Sequence, residues 1–170
     1  CYGNASAIHG QGRKAKAVVE MARKQIAKTL NCVGSEIIFT GSGTEADNMA
    51  LRCAVNDLGV NHIITSNIEH KAVLDTAKEL EAKGLAQVSY VKIDEYGRAD
   101  VKDLERLAEE NPKSLISLMH ANNEIGTLND VAAISKIARA HDCYFHTDTV
   151  QTIGHYPIDL KTLDVDFIAC

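Results

Sequence analysis

A chain of 170 residues with 45% hydrophobic content has the size and make-up of a globular domain with a real core. Its 18 basic and 23 acidic residues leave a net charge of -5, which argues against nucleic acid or an anionic membrane as the main partner. No apolar run reaches the length of a membrane span and no signal-peptide pattern opens the sequence. The five cysteines (Cys1, Cys32, Cys53, Cys143, Cys170) form no Cys-x-x-Cys pair, which suits a reducing cytoplasm better than a disulfide framework or a zinc site.

Taken in order, Ser6 to Leu30 keeps a helical period through Ala15, Val18, Val19, Ala22, Ile26 and Leu30, with charged residues between. Glu36 to Thr40 reads as a short strand, broken by Gly41-Ser42-Gly43-Thr44, before a helix with Ala46, Met49, Ala50 and Cys53 on one face. Further strands are predicted at His62–Ser66, Gln87–Ile93, Leu115–His120, Cys143–His146 and Val165–Ala169. Between them lie a helix with Val73, Ala77 and Leu80 inward and a Glu79/Lys83 pair outside, one capped by Asp100 with Val101, Leu104 and Leu107, and one capped by Asp130 with Ile134, Ile137 and Ala138. Strands and helices that alternate at this spacing predict an α/β fold with a mostly parallel sheet and helices on both faces. Pro112 and Pro157 fall outside element interiors.

In such a sheet all the strands' carboxyl ends lie on one side, where open α/β sheets bind ligands. The loops there carry Gly41–Thr44, Asn67–His70, Ala121–Glu124 and Asp148–Gln151, four polar clusters that would share one rim. Gly41-Ser42-Gly43-Thr44 can cradle a phosphate on a helix N-terminus, or be a tight turn with a Thr44 cap. It is neither a Walker A loop nor a complete dinucleotide fingerprint. His70 can cap a helix, stack on a flat ligand or shuttle a proton. Asn122 and Glu124 read as a polar turn, and His9, His62, His141, His146 and His155 read as structural, without metal-ligand spacing. Asp148 alone reads as a cap. With the other clusters beside it, it becomes the carboxylate for a basic ring nitrogen. A flat ligand with a phosphate at one end, such a nitrogen at the other and an imidazole over its face describes pyridoxal phosphate.

Motifs through the chain then resemble the cysteine desulfurases, in the class V aminotransferase branch of the fold type I pyridoxal-phosphate enzymes. They are Tyr2-Gly3-Asn4 with His9 and Gly12-Arg13, then Ile37 to Asn48, Glu69 to Leu74, Ala121 to Thr127, and His146 to Gln151 with Pro157-Ile158-Asp159. The resemblance implies that Gly43 and Thr44 hold the cofactor phosphate, that His70 stacks on the ring and takes part in proton transfer, and that Asn123 contacts the substrate–cofactor adduct. It implies that Asp148 partners the ring nitrogen and that Gln151 donates to the ring's phenolic oxygen. Such enzymes take sulfur from L-cysteine onto a separate protein cysteine as a persulfide and release alanine, for iron–sulfur cluster assembly or other sulfur transfer. The resemblance further implies a homodimer, a sulfur acceptor or scaffold partner and a cytoplasmic location.

Departures from the family pattern are Ala5, the Gly41-Ser42 order and Thr149, which is expected to crowd its neighbours. The family's Schiff-base lysine is expected just beyond Cys170, and Lys161 does not match it. The persulfide-forming cysteine, the substrate-carboxylate arginine and the small C-terminal domain are expected further on, so residues 1–170 are read as part of the large cofactor-binding domain. The alternatives are a selenocysteine lyase or another class V enzyme, and, from a different class, a non-catalytic cofactor-binding or dimerisation module.

Overall fold

Short β-branched runs alternating with amphipathic helices build a parallel sheet in the larger of two units. The computed structural model describes residues 3–170, so Cys1 and Tyr2 of the sequence motifs lie outside the described residues. One unit is the chain through Phe39 with Ile158–Thr162, and the other is Thr40–Pro157 with Leu163–Cys170.

The first unit is dominated by α1 (Gly10–Leu30), whose N-cap His9 accepts from Gly12 N–H through Nδ1 at 3.2 Å. Asn31 closes the helix in the left-handed region at φ 60°, a conformation asparagine tolerates. Ala15, Ala27 and Leu30 are buried, but Val18, Val19 and Ile26 are exposed, so the inward stripe is narrower than the periodicity predicts. The predicted strand at Glu36–Thr40 is absent. A 3-10 turn takes Gly34–Glu36, and the following backbone is held by α1: Arg23 donates to the Ile37 carbonyl and lies 4.9 Å over the Phe39 ring. With its carbonyl taken and Ile38 and Phe39 exposed, the segment joins no ladder.

The second unit runs α2 (Gly43–Asp57), β1 (His62–Thr65), α3 (Lys71–Ala82), β2 (Gln87–Tyr90), α4 (Val101–Glu110), β3 (Leu115–Ser117), α5 (Val131–Ala140), β4 (Tyr144–Asp148) and β5 (Phe167–Ala169). The five strands, all parallel, lie in the order β2-β1-β3-β4-β5. The chain steps from β1 outward to β2, then crosses back over β1 to β3 and continues the other way. With right-handed crossovers this reversal sends α3 to one face and α4 and α5 to the other.

Alternate residues on the central strands feed two separate cores. Ile63 and Leu115 pack with Leu51, Ala54, Val73, Ala77 and Leu80 from α2 and α3. Ile64, Ile116 and Phe145 pack with Leu104, Ala108, Ile134 and Ala138 from α4 and α5. Each Val, Leu, Ile or Phe side chain among them stabilises the fold by roughly 1.5–3 kcal/mol when removed from water. Asp100 and Asp130 cap α4 and α5 as predicted, and Glu79 pairs with Lys83. Two helix faces differ from prediction. Val101 is exposed, and α2 turns inward Asp47, Ala50, Leu51, Ala54 and Val55, leaving Met49 exposed.

Candidate active site

The reversal between β1 and β3 makes a topological switch point, where the loops after the two strands part and leave a crevice at their carboxyl ends. A cavity of about 290 Å³ lies there. It is bounded by the α2 N-terminus and by the segments that follow β1, β3, β4 and β5. All six sequence-predicted site residues, Gly43, Thr44, His70, Asn123, Asp148 and Gln151, line it.

The α2 end is shaped by its cap. Ser42, not Thr44, is the N-cap, accepting from Glu45 N–H at 3.2 Å, while the Glu45 carboxylate reaches back to Gly41 N–H at 2.6 Å. This frees the Thr44 hydroxyl, and the N–H groups of Gly43 and Thr44 have no acceptor among the described residues. They sit at the positive end of a 15-residue helix, so an anion is the natural partner. A Cβ at Gly43 would come 2.9 Å from Val150 Cγ2, so glycine keeps this wall open.

His70 is both a cap and a cavity residue. Its Nδ1 accepts from Ala72 N–H at 3.1 Å at the start of α3. With Nδ1 accepting, the proton of the neutral ring is on Nε2. Across the switch point, Asn122 is buried and makes the predicted turn, its Oδ1 accepting from Glu124 and Ile125 N–H at 2.8 and 3.0 Å. Asn123 next to it is exposed on the cavity edge.

Asp148 ends β4 and is only 9% exposed. Its Oδ1 accepts from Val150 N–H at 2.8 Å. Burial pushes its carboxyl above the usual aspartate range. The Asp47 carboxylate adds to the rise, while the Val150 N–H and the imidazoles of His146 and His70 oppose it. Thr149 is fully buried without crowding: its N–H and hydroxyl both donate to the Ala169 carbonyl, at 2.8 and 2.9 Å, and tie β4 to β5.

Sequence reasoning missed Asp47 and His146 as parts of this floor. Asp47 is 1% exposed and lines the cavity, and it lies 3.4 Å from the fully buried His146 Nε2. The signal was available, because Gly43, Asp47, Ala50, Leu51 and Ala54 share one helical face and Asp47 is the carboxylate among them. The thiols do not stand out as nucleophiles. Burial pushes those of Cys32, Cys53, Cys143 and Cys170 above their ordinary values.

Residues 1–170 match the Aminotransferase class-V family model. The chain belongs to that family. Cysteine desulfurase IscS of Dictyoglomus turgidum is 44% identical over 170 residues, 99% of this chain and 43% of that protein. Cysteine desulfurase IscS of Methanosarcina thermophila is 45% identical over 171 residues, 99% of this chain and 42% of that protein. Among solved structures, a NifS-like protein matches with a TM-score of 0.92 at 40% identity, over 98% of this chain and 46% of its own. A structure of SspA in complex with cysteine matches with a TM-score of 0.91 at 35% identity, over 97% of this chain and 48% of its own. The chain therefore spans a little under half the length of these relatives.

Class-V aminotransferases use pyridoxal phosphate. This cavity fits that group by its own chemistry, with unpaired helix N-terminal N–H groups for a phosphate and a buried carboxylate for a cationic ring nitrogen.

Proposed function

We propose that the protein carrying this chain is a pyridoxal-phosphate-dependent cysteine desulfurase, which transfers sulfur from L-cysteine to a protein thiol and releases alanine. The observation that carries the reading is one cavity joining the unpaired N–H groups of Gly43 and Thr44, the His70 imidazole and the buried Asp148 carboxylate. The names of the relatives support the same reading.

Bound there, pyridoxal phosphate supplies an electron-withdrawing ring that takes up the electron pair freed at the substrate's α-carbon. Asp148 holds a proton at the ring nitrogen, which keeps that ring withdrawing, and its buried setting strengthens the pairing. Gly43 and Thr44 fix the phosphate through backbone N–H groups and the Thr44 hydroxyl. Gln151 and Asn123 supply hydrogen bonds at the ring's edge. His70, with its Nδ1 engaged at α3, presents the Nε2 proton to the reacting centre. The net reaction breaks the C–S bond of cysteine and forms an S–S bond on the receiving thiol, so that alanine and a persulfide are the products.

In the same reading residues 1–170 are part of a large cofactor-binding domain, and the intact enzyme is a cytoplasmic homodimer that hands sulfur to an acceptor or scaffold protein for iron–sulfur assembly. Among the described residues no helix is long and apolar enough to cross a membrane. The test is to load the intact protein with pyridoxal phosphate, add L-cysteine, and measure alanine together with protein-bound persulfide. Equimolar alanine and transferable sulfur support the assignment. Alanine from selenocysteine but not from cysteine moves it to the lyase, and loading without turnover of either leaves a cofactor-binding module.

A further inference from the structure

The two residues that face the cavity from either side of the switch point each follow a residue that ties the two loops together. Glu69, just before His70, is 5% exposed and accepts from Met119 N–H through Oε2 at 2.8 Å. Asn122, just before Asn123, donates from Nδ2 to the Ile68 carbonyl at 2.9 Å. Glu69 also binds the Ser66 hydroxyl through Oε1 at 2.6 Å, which anchors it to the end of β1. Met119, its partner across the gap, itself lines the cavity.

This is the place in the sheet where these side-chain ties, not the ladder, set the spacing. The β1–β3 ladder pairs Ile63 with Leu115, Ile64 with Ile116 and Thr65 with Ser117, and beyond that last pair the chain departs toward opposite faces. Without a cross-link the crevice has no fixed width. A surface loop could be closed by any polar residue, yet here a carboxyl is buried beside two others, Asp47 and Asp148.

We propose that Glu69 is a positioning residue of the cofactor site, a carboxyl clamp that fixes the separation of the β1 and β3 loops and so holds His70 and Asn123 at the cavity. The Ser66 hydroxyl donates to Oε1 and the Met119 N–H to Oε2; when the carboxyl is neutral the Ser66 hydroxyl turns to accept the carboxyl O–H, and the bond from Met119 is kept. A glutamine reproduces that pattern, its carbonyl accepting and its amide donating. An alanine removes both bonds and leaves the Met119 N–H buried without a partner.

The inference rests on the reading of the cavity as the pyridoxal-phosphate site, and the test separates the two. Wild type, Glu69→Gln, Glu69→Ala and Ser66→Ala are made in the intact protein, and pyridoxal-phosphate dissociation constants are measured by absorbance titration, with circular dichroism as the check on folding. Wild type that binds no pyridoxal phosphate overturns the site and the clamp together. Given binding, the clamp predicts that Glu69→Gln stays within about 3-fold of wild type while Glu69→Ala weakens binding about 10-fold or more. Ser66→Ala, which keeps the cross-loop bond, falls between them and remains informative where Glu69→Ala does not fold. In turnover, Glu69→Ala lowers kcat more than it raises KM, because His70 is displaced more than substrate is lost. Folded Glu69→Ala with wild-type affinity, or Glu69→Gln and Ser66→Ala no better than alanine at Glu69, overturns the clamp alone.

Discussion

His146 Nε2 lies 3.4 Å from Asp47 Oδ1, and neither atom has a hydrogen-bond partner among the described residues. The imidazole is oriented from its other side, where Nδ1 meets the Ser117 hydroxyl at 2.9 Å. With Ser117 donating to Nδ1, the ring proton is on Nε2 and points toward the Asp47 carboxylate. The pair thus joins β3, β4 and α2 beneath the cavity. Asp47→Ala takes away the carboxylate that faces this buried N–H and is expected to cost up to about 1 kcal/mol, more than Asp47→Asn, which keeps an oxygen there. Urea unfolding of the intact protein measures both. Equal stability of the alanine variant and wild type would show that the contact carries no weight.

Asp148 gives a prediction about cofactor affinity and pH. Its carboxyl titrates above the ordinary 3.8, chiefly because it is buried. A protonated Asp148 loses the negative charge that pairs with a cationic ring nitrogen, so affinity for pyridoxal phosphate should fall as pH drops through that raised value. Above it the carboxylate is ionised and affinity is full. Asp148→Asn should bind more weakly and lose this pH dependence, since the amide does not titrate. Absorbance titrations over a pH series give both readouts, and a wild-type profile shared by the asparagine variant would remove Asp148 from the role.

His70 serves two purposes that a single substitution can separate. Asparagine is a good N-cap, so His70→Asn should keep α3 anchored where Nδ1 now accepts from Ala72 N–H. It cannot carry the imidazole's proton. The expected result is a melting temperature close to wild type with kcat lower by roughly 10²–10⁴-fold, the usual worth of a positioned acid or base. Retained turnover in a folded His70→Asn protein would leave His70 as a cap alone.

The parts of the fold that follow from local chemistry were legible in the sequence. Strand–helix alternation, the Asp100 and Asp130 caps and the inward faces of α3 and α5 all depend on residues near one another in the chain. The errors came where a distant contact overrode the pattern. Ile37 to Thr40 has strand composition, but Arg23 claims its carbonyl and its ring. The α2 face was read by apolarity, which gave Asp47 no part in the site, because only the folded sheet supplies His146 as its neighbour. The rim itself was legible because parallel topology gathers every strand's carboxyl end, whereas the floor under it is built from β3, β4 and α2 together.

Glu69 sets a pH dependence on stability whose sign distinguishes it from the ion pairs on the surface. Burial pushes its carboxyl from 4.5 to about 8; the Ser66 hydroxyl and Met119 N–H oppose this, and the Asp148 and Asp47 carboxylates add to it. The charged groups around it are therefore Asp148 on β4 and Asp47 on α2, with His70 adjacent in sequence. In the unfolded chain the same carboxyl titrates near 4.5, so between there and about 8 the folded state holds a proton that the unfolded state has released. Stability from this group is fully present below the lower value and is lost as pH rises to the upper one, by at most about 1.4 kcal/mol per pH unit. Glu69→Gln has no such proton. The stability difference between wild type and Glu69→Gln, from urea unfolding across this window, should therefore shift steadily against wild type as pH rises and level off above the upper value. A difference independent of pH would mean that the folded protein carries Glu69 as an anion, and the neutral-carboxyl form of the clamp would then be wrong.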